Sequence, residues 1–274
     1  MNYSNTYANP FNWTGSKFRY LKNFLSVIPK EDNLKVLDCF LGGGDLISKL
    51  PEDWVVKGVD VIRPLIGLHV AIQNREITVE KVVTEFEARG MSKINQEAYL
   101  KLRQEYNTHP TPEKLYLLMT NSFNNQMRFN SKGEFNMPFG KNRSSFNKSM
   151  QSKLANYQQA LSTRDVSFEC KSYEDEDLNT YDLLLVDPPY LYTAATYNEQ
   201  GGWDKSKDVK LLEDLEAYKG KFIYFNQLVS KGVDNNHLIE WSKDYKVTTL
   251  SDTTENCNYQ RKGGLTVEVM ITNF

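Results

Sequence analysis

Asp182-Leu183-Leu184-Leu185-Val186-Asp187-Pro188-Pro189-Tyr190 is the stretch whose reading decides the fold. Four apolar residues closed by an acid and two prolines are too few for a lone helix. They read as a strand buried on both faces, as in a parallel sheet. Proline has no N–H for a ladder, so the strand stops at Asp187. Asp187 and Tyr190 are then presented at the carboxyl end of a central strand, where open α/β sheets bind ligands. The arrangement suits a flat heterocycle carrying an exocyclic amine. The Asp187 carboxylate accepts one N–H and the Pro188 carbonyl accepts the other. Two acceptors on one NH2 favour a pyramidal nitrogen and release its lone pair toward an electrophile. The Tyr190 ring offers a stacking face, worth about 1–3 kcal/mol per base. The rigid Pro188-Pro189 pair holds these groups in place, so positioning supplies much of the rate gain.

Upstream, Leu34-Lys35-Val36-Leu37-Asp38-Cys39-Phe40-Leu41-Gly42-Gly43-Gly44-Asp45-Leu46 reads as a strand, a glycine turn and a helix start at Ile47 and Leu50. The spacing is not G-x-G-x-x-G, so a dinucleotide pyrophosphate is poorly supported. A ligand with a carboxylate and an amine but no phosphate suits it better. A second strand, 55–60, ends in Asp60 about 20 residues after the glycines, where such folds hydrogen-bond ribose hydroxyls. Before both lies Asn9-Pro10-Phe11-Asn12-Trp13-Thr14-Gly15-Ser16-Lys17. Ser16 is placed to cap an amphipathic helix (Phe18, Leu21, Phe24, Leu25, Ile28), with Trp13 and Lys17 at its mouth. A tryptophan face and an ammonium suit a ligand with a cation or ring and a carboxylate.

From Arg63 to about Ala160 the βαβ rhythm is lost. Apolar periodicity predicts helices at 65–75, 79–89, 95–106 and 112–122, an insertion or second domain. Asn121 to Ser149 holds five basic residues (Arg128, Lys132, Lys141, Arg143, Lys148) against one acid (Glu134), with seven asparagines and five phenylalanines. Met127-Arg128-Phe129-Asn130 and Glu134-Phe135-Asn136-Met137 alternate around Ser131-Lys132-Gly133, which predicts a β-hairpin near 126–138. Arg, Asn and Gln read base edges, Lys and Arg meet phosphates, and Phe can wedge between bases.

The remainder predicts a helix (149–161), a strand (166–170), a mobile loop (191–203, with Tyr192 and Tyr197), a helix (207–218), a strand (221–226), a helix (235–243) and a terminal antiparallel pair (245–250 with 265–272). Composition is that of a globular chain: 274 residues, 40% hydrophobic, 25% charged, net charge −2. Any nucleic-acid surface is therefore local. No apolar run approaches a membrane span and no signal sequence is evident, so no membrane is expected. Cys39, Cys170 and Cys257 are widely separated and the three histidines lack H-x-x-x-H spacing. Neither a disulfide framework nor a metal site is expected, and a reducing cytosol is.

Four segments, in order, resemble one family, the Dam-type (D12 class) DNA N6-adenine methyltransferases, with the short phage-encoded members most similar: 10–17 (PFNWTGSK), 38–44 (DCFLGGG), 125–141 (NQMRFNSKGEFNMPFGK) and 187–190 (DPPY). The resemblance covers nearly the whole chain. It implies an α/β class I methyltransferase fold, mostly parallel with a terminal antiparallel hairpin. The catalytic domain would be 1–64 and 162–274, with a helical target-recognition domain at 65–161. It implies S-adenosyl-L-methionine as cofactor and double-stranded DNA as partner. Trp13 and Lys17 would border the methionine part, and Asp38, Phe40, Gly42 and Gly43 would form the floor. Asp60 would take the ribose hydroxyls, and Ser172 and Tyr173 would lie beside the adenine. Asp187, Pro188, Pro189 and Tyr190 would be catalytic, with Asp187 also closing on the cofactor. Arg128 matches an arginine that reads a guanine of GATC. Asn124, Gln126, Asn130, Lys141, Asn142, Arg143 and Tyr197 are the other expected DNA contacts. Asn124, Gln126 and Asn142 depart from the family pattern, so the target is GATC or a variant. The chain would act in a bacterial or phage-infected cytosol as a monomer or weak dimer on DNA. Rival readings are an RNA or other amine methyltransferase, a DNA binder of the same fold without turnover, and, at a distance, a nicotinamide oxidoreductase. The absence of a Pro-Cys nucleophile argues against cytosine C5 chemistry.

Overall fold

The computed structural model describes residues 9–192, 202–253 and 264–274. In chain order the elements are α1 (Leu21–Val27), β1 (Lys35–Asp38), β2 (Val55–Asp60), α2 (Arg63–Gln73), α3 (Val79–Ala88), α4 (Gln96–Thr108), α5 (Pro112–Asn121) and α6 (Lys148–Ser162). They continue with β3 (Asp165–Cys170), β4 (Leu183–Val186), α7 (Lys205–Ala217), β5 (Lys221–Ser230), β6 (Val233–Asp234), α8 (Asn236–Trp241), β7 (Lys246–Thr253) and β8 (Thr266–Thr272). The chain divides into two compact units, one of 1–19, 42–53 and 60–171, the other of 20–41, 54–59 and 172–274.

The second unit is built on a sheet that runs β2-β1-β4-β5-β8-β7. β4 is the expected central strand. All four of its residues are buried, and it pairs in parallel with β1 (Val36 opposite Leu183) and β5 (Leu183 opposite Lys221). β8 enters antiparallel between β5 and β7, the predicted terminal pair. Short parallel strands covered on both faces need uninterrupted apolar runs, which is why Leu183–Val186 carries no polar residue. One face packs against Leu211, Leu212 and Leu215 of α7 and Leu238 and Trp241 of α8, around Phe222 and Tyr224. The result is an α/β sheet, mostly parallel with antiparallel C-terminal strands, the architecture expected from the sequence.

The first unit is largely helical, and its helices fall where the periodicity put them. Thr78, Asn95, Thr111 and Asn147 each cap a helix by accepting the N–H three residues on, those of Lys81, Ala98, Lys114 and Met150. Such caps are worth about 1 kcal/mol each. α5 is buried on all sides through Leu115 to Asn121, the sign of a central helix. α2, α3 and α4 pack against it, α4 through the buried Tyr99, Leu102 and Tyr106, and α6 packs on α2 and α3 with Leu154, Tyr157 and Leu161 buried.

Two local expectations are corrected. The glycine turn does not open an α-helix. Ile47–Lys49 forms a single 3-10 turn, and Leu50 turns extended (φ −68°, ψ 157°). Pro51 is the cause, since the residue before a proline is pushed out of the helical region. Ser16 does not cap α1 either. Its Oγ accepts the Phe18 N–H at 3.3 Å, and a 3-10 turn, Phe18–Tyr20, precedes α1. Among the described residues no helix is long and apolar enough to cross a membrane.

Candidate active site

In the second unit the end of β4 sets the geometry. Asp187 follows the last strand residue and is half-buried, Pro188 is buried, and Tyr190 is half-buried. The Tyr190 hydroxyl donates to Asp187 Oδ1 at 3.1 Å, closing a small ring through the two prolines. The same hydroxyl lies 3.3 Å from Glu268 Oε1. β1 delivers the next group. Cys39 N–H donates to Leu185 O at 2.9 Å and Leu41 N–H to Val59 O at 2.9 Å, so the chain stays in register past Asp38. Phe40 is thereby held beside the carboxyl end of the sheet, and Asp38 is buried. Two aromatic rings flank Phe40: Tyr173, tilted at 5.2 Å, and Trp203, edge-on at 5.4 Å. α7 anchors both. Tyr173 Oη donates to Asp214 at 3.3 Å and Trp203 Nε1 to the buried Asp208 at 3.1 Å. Burial pushes the Tyr173 phenol well above its ordinary range, so it remains a donor. Ser172 caps the turn that carries Tyr173, accepting the Glu174 N–H at 3.3 Å.

In the first unit the glycines make a tight backbone loop. Gly42 and Gly44 have φ of 48° and 69°, in the left-handed region that favours glycine. A Cβ on Gly43 would lie 2.6 Å from Asn9 Nδ2 and 3.0 Å from Trp13 Cβ, so only glycine fits under that segment. Asn9 is buried, accepts the Phe11 N–H at 2.7 Å and donates to Asp45. Asp60 accepts the Gly42 N–H at 3.0 Å and the Ile62 N–H at 2.9 Å. Burial raises its pKa, and these backbone donors oppose the rise. Lys17 is buried and donates to Gly15 O at 2.7 Å, while Trp13 is half-buried.

Sequence reasoning missed His69. It is buried on α2, with Nε2 2.9 Å from Gly42 O and Nδ1 2.8 Å from the Tyr157 hydroxyl. The ring stacks on Phe168 at 5.0 Å and meets the edge of Phe11 at 4.9 Å. Burial lowers its pKa to about 4, so the ring is neutral, donates to Gly42 and accepts from Tyr157. A lone histidine on an apolar helix face carries no sequence signal for this duty. A histidine neutral in the folded chain and charged when unfolded takes up a proton on unfolding between pH 6.5 and 4. Stability is therefore complete above pH 6.5 and lost as pH falls toward 4. From pH 7 to pH 5 the wild type is expected to lose about 2 kcal/mol through this group. H69Q, which keeps a donor and an acceptor, is expected to lack that slope in guanidinium unfolding compared at the two pH values.

The predicted hairpin is present in the first unit. Phe129 and Phe135 form an antiparallel bridge, Asn130 N–H donates to Glu134 O at 2.9 Å, and Asn136 N–H to Arg128 O at 3.0 Å. One face of α4 straps it down. Asn107 accepts the Phe135 N–H at 2.9 Å and donates to Phe135 O at 3.2 Å, acting as a one-residue strand. Tyr99 donates to Met137 O at 2.8 Å. Removing the Asn107 amide leaves both Phe135 groups unpaired, at a cost of about 1–3 kcal/mol. In N107L, amides 128–136 are expected to exchange about tenfold faster or more, with α4 and α5 amides unchanged.

Arg128 is held across the hairpin by Asn136, Nε to Oδ1 at 2.8 Å and Nη2 to O at 3.2 Å. Asn124 has φ of 56° and is exposed, Gln126 and Asn130 are half-buried, and Lys141, Asn142 and Arg143 are exposed together after Gly140. Phe123 is an exposed aromatic beside Asn124 that had not been singled out. Tyr197 and most of the predicted mobile loop lie outside the described residues.

The sheet carries an acid, two prolines and a tyrosine at the end of its central strand, the arrangement expected of a class I methyltransferase fold. The chain belongs to the D12 class N6 adenine-specific DNA methyltransferases, whose family model matches residues 13–256. It is 32% identical to the Type II methyltransferase M.FokI of Planomicrobium okeanokoites, over 99% of this chain and 44% of that protein. It is 32% identical to the modification methylase StsI of Streptococcus sanguinis, over 97% of this chain and 43% of that protein. To the DNA adenine methylase of Escherichia coli K12 it is 28% identical, over 68% of this chain and 66% of that protein. The chain thus spans less than half the length of the first two relatives.

Proposed function

We propose that this chain transfers a methyl group from S-adenosyl-L-methionine to N6 of an adenine flipped out of a short duplex DNA site, GATC or a variant of it. The observation that carries the reading is Asp187 at the end of a buried strand, fixed by Pro188-Pro189 and by the Tyr190 hydroxyl at 3.1 Å. The flipped adenine's amine places one N–H on the Asp187 carboxylate and the other on the Pro188 carbonyl, while Tyr190 stacks on the ring. Both amine hydrogens are then held, the nitrogen becomes pyramidal and its lone pair is freed for alkylation. The proton displaced passes to Asp187 or to solvent, and no covalent enzyme intermediate is needed.

Taken one by one, the side chains have the chemistry that the cofactor's parts call for. Lys17 supplies an ammonium for a carboxylate, Asp38 an acid for an amine, and Asp60 an acid for ribose hydroxyls. Phe40 and Tyr173 supply ring faces for adenine and Ser172 a hydroxyl, while Gly42 and Gly43 give the tight backbone turn. The set joins one ammonium to two acids and aromatic rings, the chemistry of a ligand with a carboxylate, an amine, ribose hydroxyls and a base. When bound, S-adenosyl-L-methionine supplies the activated methyl group. For DNA, residues 65–161 serve as the target-recognition domain. Arg128, Gln126, Asn130 and Asn124 face base edges, and Lys141, Asn142 and Arg143 meet the backbone. Tyr197 joins these contacts from the loop after Tyr190. On this reading the chain acts in a bacterial or phage-infected cytosol, as a monomer or weak dimer on DNA.

The test is methyl transfer from labelled S-adenosyl-L-methionine to unmethylated plasmid DNA and, in parallel, to RNA. Label recovered as N6-methyladenine within one short DNA motif is expected. Label confined to RNA, or none in either with folded protein, would overturn the reading.

A further inference from the structure

We propose that Glu268 is a positioning residue for Asp187, acting through the hydroxyl of Tyr190; the inference rests on the methyl-transfer reading above. Glu268 lies in β8 and is 4% exposed. A buried carboxylate is costly unless hydrogen-bonded. Its Oε2 accepts from the Tyr20 hydroxyl at 2.8 Å, and that hydroxyl also lies 3.0 Å from Ser251 Oγ. Its Oε1 faces the Tyr190 hydroxyl at 3.3 Å, and the same hydroxyl is 3.1 Å from Asp187 Oδ1. Tyr190 has one hydroxyl proton for these two carboxylate oxygens. The proton is shared, so the place of each carboxylate restrains the other.

The sheet is shaped around this glutamate. Glu268 pairs with Gln227 on β5 and Ser251 on β7, and both neighbouring strands carry an extra residue at that level. On β5, Leu228 is inserted between the partners of Glu268 and Val267. On β7, Leu250 is inserted between the partners of Val269 and Glu268. Bulges re-aim side chains and gather beside active sites. Both bulges sit on the strands that flank Glu268, whose side chain lies with Met270 on the face opposite Val269 and Ile271, against Tyr20 and Tyr190. Asp187 is thereby held at one rotamer in which its second oxygen faces the amine. Loss of the tether lets the carboxylate turn, and a small misplacement is costly in rate.

The test uses the whole chain and the variants E268Q, Y190F and the double variant. Three quantities are read: single-turnover methyl transfer on plasmid duplex DNA, the Kd of S-adenosylhomocysteine by calorimetry, and Tm. Each single variant is expected to slow transfer by about tenfold or more. The Kd is expected to stay within about twofold and Tm to hold. The double variant is expected to be no slower than the slower single, since both break one tether. E268Q at the wild-type rate, losses that multiply, or a rate loss that tracks a falling Tm would each overturn the role. An inactive wild type overturns the function reading and this inference with it. An active wild type with an unaffected E268Q overturns only the inference.

Discussion

Replacing Asp187 by alanine is expected to lower methyl transfer by about 10³-fold, the scale of removing one preorganised electrostatic partner from a transition state. On the proposed mechanism the carboxylate accepts an amine hydrogen, and that hydrogen bond strengthens as the nitrogen becomes cationic. The loss should fall on the rate at saturating DNA and cofactor. Asp187 lies beyond the last residue of β4 and is half-buried, so the four buried residues that hold the strand are untouched. Tm is therefore expected to move by no more than about 4 °C. D187N keeps one acceptor oxygen without the charge and should retain an intermediate rate. Quench-flow methyl transfer with the three proteins checks the order. A D187A protein within tenfold of the wild type would remove Asp187 from the chemistry.

The second large effect is expected at Arg128. Asn136 holds its Nε and one Nη from the opposite hairpin strand, so the guanidinium is oriented before DNA arrives. A bidentate arginine on a guanine discriminates by about 1–3 kcal/mol. R128A should therefore lose about 5- to 150-fold in kcat/KM on the preferred site and much less on a duplex substituted at the one base it reads. Specificity relaxes at that position alone. N136A should give a smaller loss at the same position, because the guanidinium remains but is no longer held. Steady-state kinetics on duplexes substituted one base pair at a time would show this. A uniform loss across all substituted duplexes would make Arg128 a phosphate contact instead.

Much of the fold was legible because burial leaves a periodic mark on sequence. Leu183–Val186 is continuous because both faces are covered, and the prolines after it announce where it stops. The helices of the first unit show their apolar stripes and their Thr and Asn caps. The four motifs that carry the family resemblance are local strings, each readable where it stands. The helix expected after the glycine turn failed on a local rule that was also on the page, Pro51 acting on Leu50.

What only the tertiary structure decided is which groups hold the motif residues still. His69 under the Gly42 carbonyl, Asn107 against Phe135, Asn136 across from Arg128 and Glu268 behind Tyr190 each join residues separated by between 8 and 78 positions. The bulges at Glu268 exist only as a register between strands. Composition and periodicity report how much of a residue is buried and on which face. They do not report the partner, because a hydrogen bond depends on distance and angle between two chain segments, and only the folded chain brings those segments together.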